Sequence, residues 1–181
     1  MLAIELMKLA YALSPTRIAV LSDVGRTPFL EEELRRGTEC SIPRWLAEIL
    51  RDLGKAEPSD EGPVYSKILK VKFAHTSDLR QGLPQVSEFF YIHSISELNR
   101  ELSVAQNRMD LDLLTKVNRA VKAFSDVASR RLSYIIKAIS LGGYTAIERS
   151  LSYEEKLLAL ILSRVINEWK DSFANLGNIT R

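Results

Sequence analysis

The chain has 181 residues, 46% of them hydrophobic and 27% charged, enough to bury a core as one domain or two small ones and unlike a disordered composition. Its 25 basic and 23 acidic residues leave a formal charge of +2 and alternate along the sequence, a solvated surface that argues against a polyanion as the main ligand. A single cysteine, Cys40, cannot form an internal disulfide, and no run approaches the ~20 apolar residues of a membrane span, so a soluble, cytoplasmic protein without membrane contact is expected.

Leu2, Leu6, Leu9 and Leu13 repeat at helical spacing until Ser14-Pro15 stops the pattern. Glu5 and Lys8 inside this run make it a short amphipathic helix rather than a signal peptide. Arg17 to Val24, with Ile18, Val20 and Leu21, predicts one strand. Gly25 to Gly37 reads as a loop around Pro28, with Glu31-Glu32-Glu33 as charged surface. In Thr38 to Leu53 a short extended piece ends at Ile42, and Pro43 supplies the fixed φ of a first helical turn, with Ser41 or Ile42 at the cap. Trp45, Leu46, Ile49, Leu50 and Leu53 then form one apolar face, and Gly54 ends the helix. Pro43, Trp45, Leu46 and Ile49 are the expected core of a small domain.

Lys55 to Pro63 carries two prolines, a glycine and mostly acidic charge, and is expected to be flexible. It separates a small β-containing domain over residues 1–57, through a linker at 58–63, from a helical domain over 64–181. Val64 to Phe73 fits a strand or a helix, with the helix preferred. A break at Ser77 to Gly82 precedes a helix over Pro84 to Asn107 with Val86, Phe89, Phe90, Ile92, Ile95 and Leu98 on its apolar face. Asp110 to Leu141 contains neither proline nor glycine and predicts one helix about 48 Å long at 1.5 Å per residue. Leu114, Val117, Val121, Phe124, Ala128, Ile135 and Ile139 line one side of it, so it serves as a spine. Gly142-Gly143 stops it. Ser152 and Glu155 have capping-box spacing ahead of a last helix to Phe173, whose Leu157, Ile161, Val165 and Trp169 repeat every four residues. The fold class is therefore α+β, mainly α: a small N-terminal β/α domain followed by a helical bundle with long helices.

Residues that could carry chemistry are few. There is no GxGxxG, P-loop or HExxH, His75 and His93 are isolated, and Cys40 has no histidine in a recognisable context. Asp110 and Asp112 lie on different sides of a helix start, where acids are favoured by the helix dipole. No catalytic residue, cofactor or metal is expected, and the chain reads as a non-enzyme.

Several stretches resemble subunits of GINS, the four-subunit accessory assembly of the archaeal and eukaryotic replicative helicase. The strand RIAVLSDV, Gly25 with Pro28 and Phe29, then Pro43, Trp45, Leu46 and Ala47 resemble the family's Gly-Pro-Phe turn and Pro-x-Trp-Leu-Ala helix start, followed by Leu50, Gly54 and a turn at Pro58. LRQGLPQVSEFFYIHSISELN resembles its Leu-Pro-x-x-Phe-Tyr helix, Arg130-Arg131-Leu132 its basic helix end, and the stretch around Ser152 and Glu155 its Leu-Ser/Thr-x-Glu-Glu start. Met1 to Leu13 has no counterpart. The resemblance implies an archaeal, nucleoid-associated scaffold subunit of the type with the small domain first. Its implied partners are the complementary GINS subunit, in a heterotetramer, the MCM helicase and a RecJ-like protein, with weak DNA contact.

Counting faces gives an expected subunit interface. If Leu157, Ile161, Val165 and Trp169 cover Val117, Val121, Phe124 and Ala128, then Phe89, Phe90, Leu113, Ala120 and Val127 are left short of partners within the chain. The alternative is a small DNA-binding module using Lys67, Lys70, Lys72, Arg130 and Arg131 as phosphate contacts. Against it, these residues are interleaved with acids.

Overall fold

The computed structural model describes residues 2–26, 28, 30, 33–59, 62–77 and 82–174. They divide into two compact units, Met1–Pro63 and Val64–Arg181. The architecture is α+β and mainly α, with one small antiparallel sheet and long helices. Phe29, Glu31, Glu32 and the inner part of the expected break after Ser77 lie outside the described residues.

The first unit contains α1 (Leu2–Leu13), β1 (Pro15–Val20), β2 (Glu39–Pro43), α2 (Arg44–Asp52) and β3 (Ala56–Pro58). The sheet has the order β2-β1-β3, and Ile18 faces Cys40 on one side and Pro58 on the other. Alternation turns Ile18 and Val20 of β1, Ile42 of β2 and Ala56 of β3 towards Leu46, Ala47 and Leu50 of α2, which with Leu34 form the core. The strand ends at Val20, earlier than the expected Val24, because Val24 leaves the ladder to pair with Leu34. Pro43, in extended conformation, is itself the N-cap of α2 and makes no side-chain capping bond. At the other end Gly54 (φ +66°) donates to the Arg51 carbonyl and Lys55 to that of Leu50, the paired bonds of a Schellman turn. That turn feeds directly into β3, so Lys55–Pro58 is not flexible linker: Ala56–Pro58 pairs with β1 and Ser59 donates to the Arg17 carbonyl.

The second unit contains α3 (Val64–Ser77), α4 (Phe90–Arg108), α5 (Leu111–Ser140), α6 (Tyr144–Ile147), a 3-10 turn (Glu148–Ser150), α7 (Tyr153–Trp169) and a π-helical turn (Lys170–Ala174). The spine is α5, about 45 Å long at 1.5 Å per residue. Asp110 caps it by accepting from the Leu113 amide, and a second Schellman turn at Gly142 (φ +75°) ends it. Its buried residues are Val117, Ala120, Ala123, Val127, Arg131, Ile135 and Ile139. Three clusters lie along them: Val64, Ile68 and Leu98 at one end, Val86 and Phe90 in the middle, and Leu83, Ile147, Leu151 and Ala159 at the other. The buried stripe is turned from the expected one, and Val121 is exposed. Ala120 and Ala123 take its place, since small side chains let α3 and α4 approach α5 closely. The helix expected from Pro84 starts at Phe90, where Glu154 of α7 accepts from the Tyr91 and Ile92 amides.

Candidate functional site

The most heavily built polar site is buried in the second unit and centres on Arg131, a residue of the α5 core stripe with 0% exposure. A guanidinium has five N–H donors, and a buried one is tolerated only if they are met. Nε donates to Glu155 Oε1 at 2.6 Å and Nη2 to Glu155 Oε2 at 2.8 Å. The remaining three reach the Ser150 carbonyl at 2.8 Å, the Pro84 carbonyl at 2.6 Å and His75 Nε2 at 3.0 Å. All five donors are thereby used.

The carboxylate is saturated in the same way. Glu155 Oε1 also accepts from the Tyr91 hydroxyl at 2.7 Å, and Oε2 from the Ser152 amide at 3.0 Å. The second contact is half of the capping box that starts α7; in the other half the Glu155 amide donates to Ser152 Oγ. His75 Nδ1 lies 2.8 Å from the Val71 carbonyl, so the tautomer that donates there leaves Nε2 free to accept from Arg131. Burial pushes His75 below the ordinary imidazole value, and Arg131 adds to that effect. Burial, reinforced by the Glu155 carboxylate, raises the Tyr91 phenol well above its ordinary value. The cluster fastens α3, the Pro84 segment, α4, α5, the 3-10 turn and α7 to one another.

This cluster is not among the expected sites, because the resemblance makes Arg131 part of a basic helix end. The signal was its register: Val127, Arg131, Ile135 and Ile139 follow at intervals of four, and an arginine inside an apolar stripe requires a carboxylate partner. Arg131 is thus unavailable as a phosphate contact. Lys72 is engaged too, with Asp126 at 2.6 Å, and its hydrogen bond holds the Asp126 carboxyl below its usual value. Lys70 and Arg130 remain exposed and Lys67 is half-buried.

In the small domain Leu46 is buried, while Trp45 and Pro43 are half-buried, Trp45 packing against the core cluster. Ile49 is 48% exposed and is not core, because α2 turns Ala47 and Leu50 to the sheet instead. Cys40 is half-buried against the same cluster.

The expected interface residues are largely covered by their own chain. Val127 (0% exposed) and Phe90 pack with Val86, and Ala120 lies beneath Val64, Ile68 and Leu98. Leu113 is half-buried against that last cluster, and Phe89 stacks edge-on against Tyr153 with ring centroids 5.0 Å apart. The assumed covering stripe is the part left open. On α7 the capping box and Ala159, Leu162 and Ile166 turn inward, and Leu160, Ile161, Val165 (57%) and Trp169 (59%) are exposed. Phe173, also exposed, extends the face with its ring 6.1 Å from that of Trp169.

Among the described residues no three His, Cys, Asp or Glu side chains come together in a way that could hold a metal, and no helix is long and apolar enough to cross a membrane. Compared with known proteins, the chain matches no family model, and no curated sequence is significantly similar to it.

Proposed function

We propose that this chain is a non-enzymatic scaffold subunit of a GINS-like DNA replication complex that binds and supports the replicative MCM helicase. The residue patterns around Trp45, Leu83-Pro84 and Ser152-Glu155 suggest the family. The observation that carries the scaffold reading is the exposed face of α7 and the π-helical turn after it, where Leu160, Ile161, Val165, Trp169 and Phe173 stay in solvent on neighbouring turns. Apolar residues gathered on one helix face in this way favour burial against a protein partner. In this reading the complementary GINS subunit covers α7, the pair assembles further into a tetramer, and MCM and a RecJ-like protein bind the assembly in the cytoplasm, at the nucleoid.

Size-exclusion chromatography with light scattering, on the chain alone and co-expressed with the complementary subunit, tests the proposal. A hetero-oligomer of fixed mass is expected. Elution of the chain as a monomer in both cases would contradict it. The DNA-binding alternative predicts affinity that falls steeply with salt, and the burial of Arg131 and the Lys72–Asp126 pair count against it.

A further inference from the structure

A second surface of the helical unit is separate from the open face of α7. Ser129, Arg130, Ser133, Tyr134 and Lys137, on successive turns of α5, form one wall of a pocket of about 390 Å³, closed on the other side by His75 and Leu83. Its volume falls in the range that receives a ligand or one large side chain.

The floor and the mouth of this pocket differ in chemistry. Leu83 and His75 are buried, and both ring nitrogens of His75 are already engaged, by the Val71 carbonyl and by Arg131. His75 therefore offers ring surface and no hydrogen bond to an occupant. The Ser133 hydroxyl gives its proton to the Ser129 carbonyl and can offer an occupant only its oxygen as an acceptor. At the mouth stand Arg130 and Lys137, both exposed, and none of the described lining residues is acidic. The nearest acid on the same helix face, Asp126, is held by Lys72. Seven residues of helix separate the two cations, about 10 Å along the axis.

We propose that this pocket binds an extended acidic peptide, one large apolar side chain entering between His75, Leu83 and Tyr134 while carboxylates on either side pair with Arg130 and Lys137. In an extended chain residues i, i+2 and i+4 share one face, and the outer two are about 13 Å apart. The reach of arginine and lysine side chains covers the difference. A nucleic acid fits less well, because phosphates would meet two cations among the described lining residues, and the His75 ring nitrogens, both engaged, offer a base no hydrogen bond. A motif of the form acid-x-aromatic-x-acid is the chemistry that uses both cations and the apolar floor together.

The test is fluorescence anisotropy with a fluorescein-labelled peptide, Gly-Asp-Ala-Phe-Ala-Asp-Gly, titrated with the full chain. Saturable binding is expected, weakened about tenfold or more by Phe to Ala or by both Asp to Asn in the peptide. The double variant Arg130→Glu with Lys137→Glu should lose affinity by a similar factor. Ser133→Trp, at an exposed position, should block the pocket while circular dichroism stays unchanged. No binding by the wild-type chain would overturn the proposal, as would equal binding of a Phe-free heptapeptide of glutamates or unchanged affinity in both protein variants. Displacement by a short single-stranded DNA more readily than by unlabelled peptide would instead mark a polyanion site.

Discussion

Arg131 and Glu155 meet side-on in the core of the helical unit, joined by two parallel hydrogen bonds of 2.6 and 2.8 Å with both side chains buried. A fork-to-carboxylate pair of this kind offsets the desolvation of both charges only while it is complete. It fixes the start of α7 against α5, and so decides which face of α7 is turned outward.

Removing one partner leaves the other charge stranded. Glu155→Gln and Arg131→Met should each lower unfolding stability by about 3–5 kcal/mol in urea titration. The double variant should lose less than the sum of the two. Additive losses would mean that the residues act independently.

The state of His75 gives the helical unit a pH dependence. Its folded pKa lies below the unfolded value near 6.5, so between the two the unfolded chain binds more protons than the folded one. The stability due to the neutral ring is fully present above about pH 6.5 and is lost as pH falls through the folded pKa. Urea midpoints at about pH 7.5 and 5.5 should differ in the wild type, and His75→Gln, whose amide oxygen can still accept from Arg131, should reduce that difference. Equal differences in the two proteins would show that His75 is not the titrating group.

Much of this fold is legible in the sequence where a local device is strong. Ser152 and Glu155 announce the start of α7, Gly142 ends α5, and Pro43 and Gly54 bracket α2 within a residue. What periodicity leaves undetermined is the rotation of a helix with more apolar residues than one face requires. On α7 the repeat Leu157, Ile161, Val165 and Trp169 is as regular as the inward set Ala159, Leu162 and Ile166, and tertiary contacts at the start of the helix, Arg131 with Glu155 and the Tyr91 and Ile92 amides with Glu154, choose between them. The same ambiguity makes Ile49 and Val121 expected inward, whereas small residues, Ala47 on α2 and Ala120 and Ala123 on α5, hold the buried positions.

Assignment of the two faces can be checked with paired substitutions. Val127→Asp buries a carboxylate among Val86 and Phe90 without a partner and should unfold the helical unit, a loss of several kcal/mol. Val165→Asp places the same charge in solvent and should leave the thermal midpoint nearly unchanged. If Val127→Asp keeps wild-type stability, the interior around Phe90 is not the core described above.

The turn between α4 and α5 holds a residue of the wrong type for its backbone. Met109 adopts φ +53° with its side chain 87% exposed, so it carries left-handed strain without compensating burial. Met109→Gly should raise stability by up to about 1 kcal/mol in urea titration. A decrease would indicate that the methionine makes contacts in solution that compensate for the strain.

Hydrogen exchange along α7, measured with and without the complementary GINS subunit, bears most directly on the proposed scaffold role. Burial of Ile161, Val165 and Trp169 against a partner should slow amide exchange from about Leu157 to Trp169, and Val165→Asp with Trp169→Asp should abolish that protection while the chain stays folded. Exchange on α7 that is the same with and without the subunit, or protection that survives both aspartates, would contradict the assignment of this face to the assembly.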